Sequence, residues 1–419
     1  MSQSDRIVFR NAKALLTLAG PKGPRGGKAM SDLSIIEGGS VVVDKGEIAW
    51  VGPDRELTPM QVGAAQEIDC RNRAVMPALV DSHTHLVWGG DRRDELEMRL
   101  AGADYEEIFA AGGGILSSVR QTRAASEDEL VAQSRRRLDR MRRTGTTTFE
   151  IKSGYGLDLA TELRQLRAAR RLAKESGARI KTTCLAAHAI PEDSRGSEAA
   201  RAAFVESVCS KMLPAIADTD LADYCDVFCD RGAFTPEEAR AVLTAAQNLN
   251  FGLRVHANEF GHTGGAEVAA EFRAKSADHL LHLNADERRA LREAGVVATL
   301  LPGTSMVLGK PFADGRGIID DGLAVAVASD CNPGSCAFEN LAMVLALACY
   351  GCRLSPAEAI CATTHNAAVS LDVAEQVGRL QAGMNADLLV LATDDYRDLV
   401  YHAGSPLIDQ VWSMGHRVA

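Results

Sequence analysis

His83-Thr84-His85 is the triplet in this chain best suited to chemistry. It follows an apolar run over residues 75–80 that predicts a buried strand. Side chains alternate faces along a strand, so the two imidazoles point the same way. Two neutral imidazoles converging from one strand end form half of a zinc or iron site. A lone pair of this kind occurs by chance on many surfaces. Its meaning therefore rests on the other ionisable residues at the ends of later strand-like runs.

Those residues recur along the chain: Lys152 and Tyr155, His188, Asp230 and Arg231, His256 and Glu259, His279, then Asp330 with Asn332, Gly334 and Ser335 beyond it. Five of the ten histidines fall at such positions. Each alone reads as a hydrogen-bonded structural histidine; together, with acids among them, they point to metal-assisted hydrolysis. His83, His85 and His256 with the Asp330 carboxylate suit a single divalent ion, Zn2+ or Fe, and leave a position open for water. Glu259 lies three residues after His256, so strict alternation aims it away from the site unless the chain has turned. A carboxylate brought back there takes a proton from water and passes it to a leaving nitrogen; the alternative is an ion pair with an arginine. His279 either donates to a developing oxyanion or to the water, or braces a neighbouring group. Arg92 and Arg93 follow Gly89-Gly90-Asp91, and a guanidinium fork there would clamp a substrate carboxylate. The sequence leaves open which of the two turns inward. Tyr155, between two glycines, suits a ligand contact or packing equally. Gly112-Gly113-Gly114 lacks a following Lys-Ser/Thr and reads as a flexible loop rather than a phosphate cradle.

The elements that must position these residues follow a βα rhythm. Strands are expected over 74–80, 146–151, 179–186, 224–229, 252–257, 277–281, 296–301 and 324–328, with helices such as 127–143, 160–176, 236–248, 265–274, 285–294 and 339–350 between them. Eight alternating units predict an α/β fold, a (β/α)8 TIM-like barrel whose active site gathers at the C-terminal strand ends. Residues 1–75 read instead as short strands, with a hairpin over 40–52 turning at Asp44-Lys45-Gly46 and a loop over 20–27. Strand-like text returns after 375. The expected organisation is a small β-sandwich domain built from both chain ends (1–75 and 375–419) beside a barrel over 76–374.

The composition narrows the function classes. The 419 residues carry a net charge of −10, which argues against broad nucleic-acid binding. The Arg135-Arg136-Arg137 cluster reads as a solvated helix face. No apolar run is long enough to span a membrane, and the first residues lack a signal-peptide pattern, so a cytoplasmic protein is expected. Ten cysteines at irregular spacing do not suggest a disulfide framework, and Cys349-Tyr350-Gly351-Cys352, a CxxC inside a helix-like run, reads as buried small side chains.

The chain resembles the metal-dependent amidohydrolase superfamily in 43-VDKGEI-48, 77-PALVDSHTH-85, 378-GRL-380 and 386-ADLLVL-391. More specifically, 149-FEIKSGYGL-157, 183-TCLAAH-188, 255-VHANEF-260, 276-SADHL-280 and 329-SDCNPG-334 resemble the branch that opens the imidazolone ring in histidine breakdown. That resemblance implies one zinc or iron ion on His83, His85, His256 and Asp330. It implies that Arg92, Tyr155 and His188 hold imidazolone propanoate, that Glu259 sits at the reacting ring, and that His279 assists the water. Asn332, Gly334 and Ser335 would contact substrate or the product N-formimidoyl-glutamate, and a homodimer is the family expectation. Ala78 departs from the glycine common after this proline, which means only that no positive φ is needed there. Lys152 lies on the second barrel strand rather than the fourth, which argues against a lysine-bridged pair of metals. The rival readings are a deaminase of a nitrogen heterocycle and a non-catalytic metal-binding protein on the same fold.

Overall fold

The computed structural model describes residues 6–103, 107–108 and 111–419. β1 (Arg6–Leu16) runs antiparallel to β2 (Ile35–Asp44), and β2 turns through Lys45 and Gly46 into β3 (Glu47–Pro53). Both turn residues have positive φ, as a two-residue hairpin requires. β4 (Gln66–Asp69) and β5 (Ala74–Pro77) lie parallel to β1.

The chain then enters the barrel: β6 (Leu79–Asp81), β7 (Thr146–Lys152), β8 (Arg179–Ala187), β9 (Tyr224–Cys229), β10 (Gly252–Ala257), β11 (Ser276–His279), β12 (Val297–Leu300) and β13 (Val325–Val327). They pair in sequence order, all parallel. The cylinder closes just past the strands, where Thr84 bridges Cys331, Asp330 N donates to His83 O at 3.0 Å and His85 N donates to Cys331 O at 3.0 Å. The closing contacts are thus made by the backbone of His83, Thr84 and His85 with that of Asp330 and Cys331, so closure and site assembly are one event. Helices Glu127–Arg143, Leu159–Ser176, Pro236–Asn248 and Ala285–Ala294 return the chain outside the sheet. Three of them start at reciprocal side-chain caps, Ser126 with Glu129, Thr235 with Glu238 and Asn284 with Glu287, which satisfy otherwise orphaned amides. With helices covering one face and the barrel interior the other, every residue of β7, β11, β12 and β13 is buried.

β14 (Leu388–Leu391), β15 (Ile408–Ser413) and β16 (His416–Arg417) rejoin the N-terminal strands, and β14 pairs antiparallel with β5. Both chain ends therefore share one mixed sheet beside the barrel, around a core of Phe9, Leu15, Val41, Val43, Leu388 and Trp412. The expected strand 74–80 is divided between the two sheets. Pro77 ends its part in the terminal sheet, Ala78 N donates to Asp387 O at 3.0 Å, and Leu79 N donates to Gly145 O at 3.0 Å as the barrel begins. Proline has no amide to donate, so the ladder must change partner there. All ten cysteines are free thiols, and Cys349 and Cys352 lie in the helix Leu341–Cys352.

Candidate active site and metal centre

Three imidazoles meet at the C-terminal mouth of the barrel. One ring nitrogen from each of His83, His85 and His256 lies within 4.8 Å of the others, and all three residues are buried. Asp330 adds its carboxylate from the far side of the closure: Oδ1 is 3.5 Å from His83 Nε2 and 3.4 Å from His85 Nε2. Thr304 Oγ1 donates to the other Asp330 oxygen. Asn258, His279 and Asp330, which lie where the chain leaves β10, β11 and β13, have φ of 53°, 79° and 51°. Such backbone costs on the order of 1–3 kcal/mol per residue and persists where surrounding structure enforces it, which occurs at functional sites.

The outer nitrogens of two rings are fixed from behind. His83 Nδ1 pairs with Asp278 Oδ2 at 2.7 Å, and His256 Nδ1 with Asp226 Oδ1 at 3.1 Å. Their Nε2 atoms are buried and make no hydrogen bond. A buried, unsatisfied nitrogen is costly, and two of them aimed at one point, each on a ring whose other nitrogen is held by a carboxylate, match the demands of a cation. The residues present therefore fit a divalent metal. Burial and Lys152 oppose a charge on His83, yet Asp278 and Asp330 outweigh them and hold its pKa up at about 9. Burial lowers the pKa of His85 and His256, whose rings are neutral at pH 7. Burial would raise Asp330, but His83 and His85 overcome it and keep that carboxyl well below its usual range.

Under the histidines lies a layer of charge with no exposure to solvent. Lys152 Nζ donates to Glu150 Oε1 at 2.7 Å and to Asp226 Oδ2 at 2.8 Å, and lies 3.9 Å from Asp278. Arg254 donates to the Ser82 and Ser370 carbonyls at 2.8 and 2.9 Å, and lies 3.6 Å from Asp278 and 3.8 Å from Glu150. Two cations thus face three carboxylates beneath the cluster. Lys152, expected among the strand-end candidates, belongs to this layer and supports the site from below. Alternation explains the placement: Glu150 with Lys152 on β7, and Arg254 with His256 on β10, are two apart and share the inward face.

Glu259 comes back toward the site because the chain turns at Asn258. Asn258 Nδ2 donates to His282 O and to Glu287 Oε1, each at 2.8 Å, and Asp230 Oδ2 accepts from the backbone amides of Glu259 and Phe260 at 2.5 and 3.0 Å. Asp230 therefore holds the turn, while Arg231 is exposed. The Glu259 carboxylate faces His279 Nε2 at 3.6 Å, and among the described residues no arginine pairs with it. Burial, with Asp330 and Asp230 nearby, raises its pKa well above the usual range. Burial drives His279 down to about 3, so its ring is neutral.

The other expected residues line one side. His188 stacks on His85, with centroids 4.9 Å apart and planes at 14°, and its Nδ1 lies 3.0 Å from Gly154 O. Tyr155 lies 5.4 Å from His188, and burial raises its phenol far above normal, so it remains a donor. Arg92 is the arginine that turns inward: its side chain is 13% exposed against 83% for Arg93. Glu95 takes Arg92 Nε at 2.8 Å and Nη2 at 2.5 Å, leaving Nη1 over Gly334, where an added Cβ would lie 1.8 Å away. Asn332 holds the loop together, accepting from the Gly334 and Ser335 amides at 2.9 and 2.8 Å. Asp226, Asp278, Glu150, Arg254 and Thr304 escaped the sequence reading. For the four charged residues the available signal was an ionisable residue inside a strand that ought to be wholly apolar; Thr304, on the helix Pro302–Val307, gave none.

A cylinder of eight parallel strands with this histidine cluster defines a class, and the chain belongs to the amidohydrolase family, whose profile matches residues 74–418. It is a hydrolase of that family. Within it, the chain is 44% identical over 416 residues to the imidazolonepropionase of Symbiobacterium thermophilum, covering 98% of this chain and 97% of that one. It is 43% identical over 402 residues to the imidazolonepropionase of Geobacillus thermodenitrificans, covering 95% and 94%. These end-to-end likenesses place it in the imidazolonepropionase family. The fold also matches the guanine deaminase of E. coli, with a TM-score of 0.75, 14% identity and 99% of both chains covered. No helix among the described residues is long and apolar enough to cross a membrane.

Proposed function

We propose that this chain hydrolyses the cyclic amide of 4-imidazolone-5-propanoate to N-formimidoyl-L-glutamate. The observation that carries the reading is the Glu259–His279 pair, 3.6 Å apart and nine-tenths buried, in the same barrel mouth as the three-histidine cluster. A single Zn2+ or Fe ion on His83, His85, His256 and Asp330 would supply Lewis acidity, making water a stronger acid and polarising the ring carbonyl. The chain's own residues do the rest. Arg92, with Nη1 turned away from Glu95, receives the propanoate carboxylate, and Tyr155 and His188 fix the ring from the side. Asn332, Gly334 and Ser335 border the tail. Together they set the attack geometry. Water adds to the ring carbonyl carbon, and Glu259 accepts its proton. The ring C–N bond breaks, and Glu259 returns that proton to the leaving nitrogen. The raised pKa of Glu259 suits it to hold the proton between the two steps. Neutral His279 donates to the developing oxyanion.

The same reading places the chain in the cytoplasm as a homodimer acting on a small anion, away from nucleic acid and membranes, with a composite β domain over 1–75 and 375–419 and the catalytic barrel over 76–374. The test is to supply imidazolone propanoate and follow both loss of ring absorbance and product. Formimidoyl-glutamate without ammonia supports the reading. Ammonia release from the ring would make the chain a deaminase, and metal binding without turnover would make it a non-catalytic relative.

A further inference from the structure

Beside the catalytic mouth opens a cavity of about 770 Å3, walled by the helices Arg93–Leu100 and Glu127–Arg143 and by the loop that carries Gly334. Six arginines line it: Arg92, Arg93, Arg99, Arg136, Arg137 and Arg140. None of the clustered histidines does, and neither does Glu259 or Tyr155. Carboxylates neutralise only half of these cations. Arg92 pairs with Glu95, Arg93 with Asp91 and Arg140 with Glu339. Among the described residues, Arg99, Arg136 and Arg137 have no carboxylate within ion-pair distance.

Arg137 is the most telling of the three. It is only 7% exposed, its Nη1 donates to the Leu86 and Trp88 carbonyls at 3.0 and 3.1 Å, and its guanidinium lies 3.4 Å over the Trp88 ring. Burial lowers its pKa to about 10, so it is still a cation at neutral pH. Arg99 donates to Gly334 O through Nη2 at 3.0 Å, while its Nη1 is buried and makes no hydrogen bond. A buried cation without a counter-charge is expensive. Several unneutralised guanidinium groups around one cavity, in a chain of net charge −10, concentrate a positive field where an anion would be held. Guanidinium forks match the paired oxygens of phosphoryl and carboxylate groups, and the volume is that of a small-molecule site.

We propose that this cavity, through Arg99, Arg136 and Arg137, binds a small anion carrying at least two negative charges, of the phosphoryl or dicarboxylate type, next to the substrate's tail site, with which it shares Arg92 and Gly334 as a wall. The test titrates the metal-loaded enzyme with inorganic phosphate and, in a second arm, with succinate, at constant ionic strength, using calorimetry and tryptophan fluorescence. The two arms separate the phosphoryl from the dicarboxylate source. Saturable binding of about one anion per chain is expected. Arg137→Gln should weaken it at least about tenfold. Should that variant fail to fold, the double variant Arg99→Gln/Arg136→Gln carries the same expectation, and Arg240→Gln, an arginine paired with Glu271 elsewhere on the surface, should bind as the wild type does. Lack of saturation by about 10 mM of either anion, or binding unaffected by the cavity variants, would overturn the proposal. So would binding that vanishes as protein concentration rises, because a second copy of the chain would then fill the cavity.

Discussion

Glu259→Gln isolates the proton-transfer step from everything else in the site. The two side chains are nearly equal in size, and the backbone at this position is held independently by Asp230, which accepts from the Glu259 and Phe260 amides. The amide should therefore occupy the place of the carboxylate. Glu259 lies outside the group of His83, His85 and His256, so metal content should not change. What is lost is a group able to take and return a proton, which contributes about 100- to 10,000-fold to turnover. That range corresponds to roughly 2.7–5.4 kcal/mol of barrel-mouth catalysis at about 1.36 kcal/mol per decade. The assay compares kcat for imidazolone propanoate with bound metal measured on the same sample. A fall of at least about 100-fold in kcat at full metal content is expected. Near-normal turnover would remove Glu259 from the proton path, and loss of metal would move it into the ligand set.

The remaining predictions test the surroundings. His83 must lose its proton to bind a metal, and with its pKa near 9 in the free site, affinity should rise about tenfold per pH unit from pH 6.5 to 8.5 and level off above 9, since the proton competes only below that pKa; a pH-independent affinity by chelator competition would contradict this. Lys152→Met removes the one cation that touches Glu150 and Asp226 at hydrogen-bond distance and leaves the three buried carboxylates under-neutralised, so denaturant unfolding should show a loss of about 3–5 kcal/mol; a loss below about 0.5 kcal/mol would mean the layer is not held by Lys152. Arg92→Met should raise KM at least about tenfold with a smaller effect on kcat, and an unchanged KM would sever the link to the propanoate tail. Gly334→Ala should push KM the same way without removing a charge, because its Cβ would lie 1.8 Å from Arg92 Nη1; wild-type kinetics would show that Arg92 is free to move aside.

Much of this was legible where local signals and the global fold agree. β9 and β10 fall on the expected residues 224–229 and 252–257, because both are short runs bounded by turn residues. The helix Glu127–Arg143 also matches, because Ser126 and Glu129 mark its start. The strand-end rule brought His83, His85, His256 and Asp330 into one list, since parallel strands in a closed barrel deliver their C-terminal ends to one place. Other features depend on distances between strands that no local pattern encodes. The pairing of Lys152 with Asp226, and of His83 with Asp278, needs the barrel's register. The return of Glu259 needs a left-handed residue at Asn258 and the Asp230 side chain from a neighbouring strand. The split of 74–80 turns on Pro77, and the inward choice of Arg92 over Arg93 on Glu95 one helical turn later.

The central claim is that residues far apart in sequence meet around one ion that the reaction requires. Its most direct test is to strip the protein with a chelator and restore Zn2+ or Fe2+ stepwise, recording imidazolone turnover against metal bound. Activity should be lost on stripping and return linearly, with a break at about one ion per chain, and His256→Ala should abolish the high-affinity step. Full activity in stripped protein, or a break at two ions, would contradict the account.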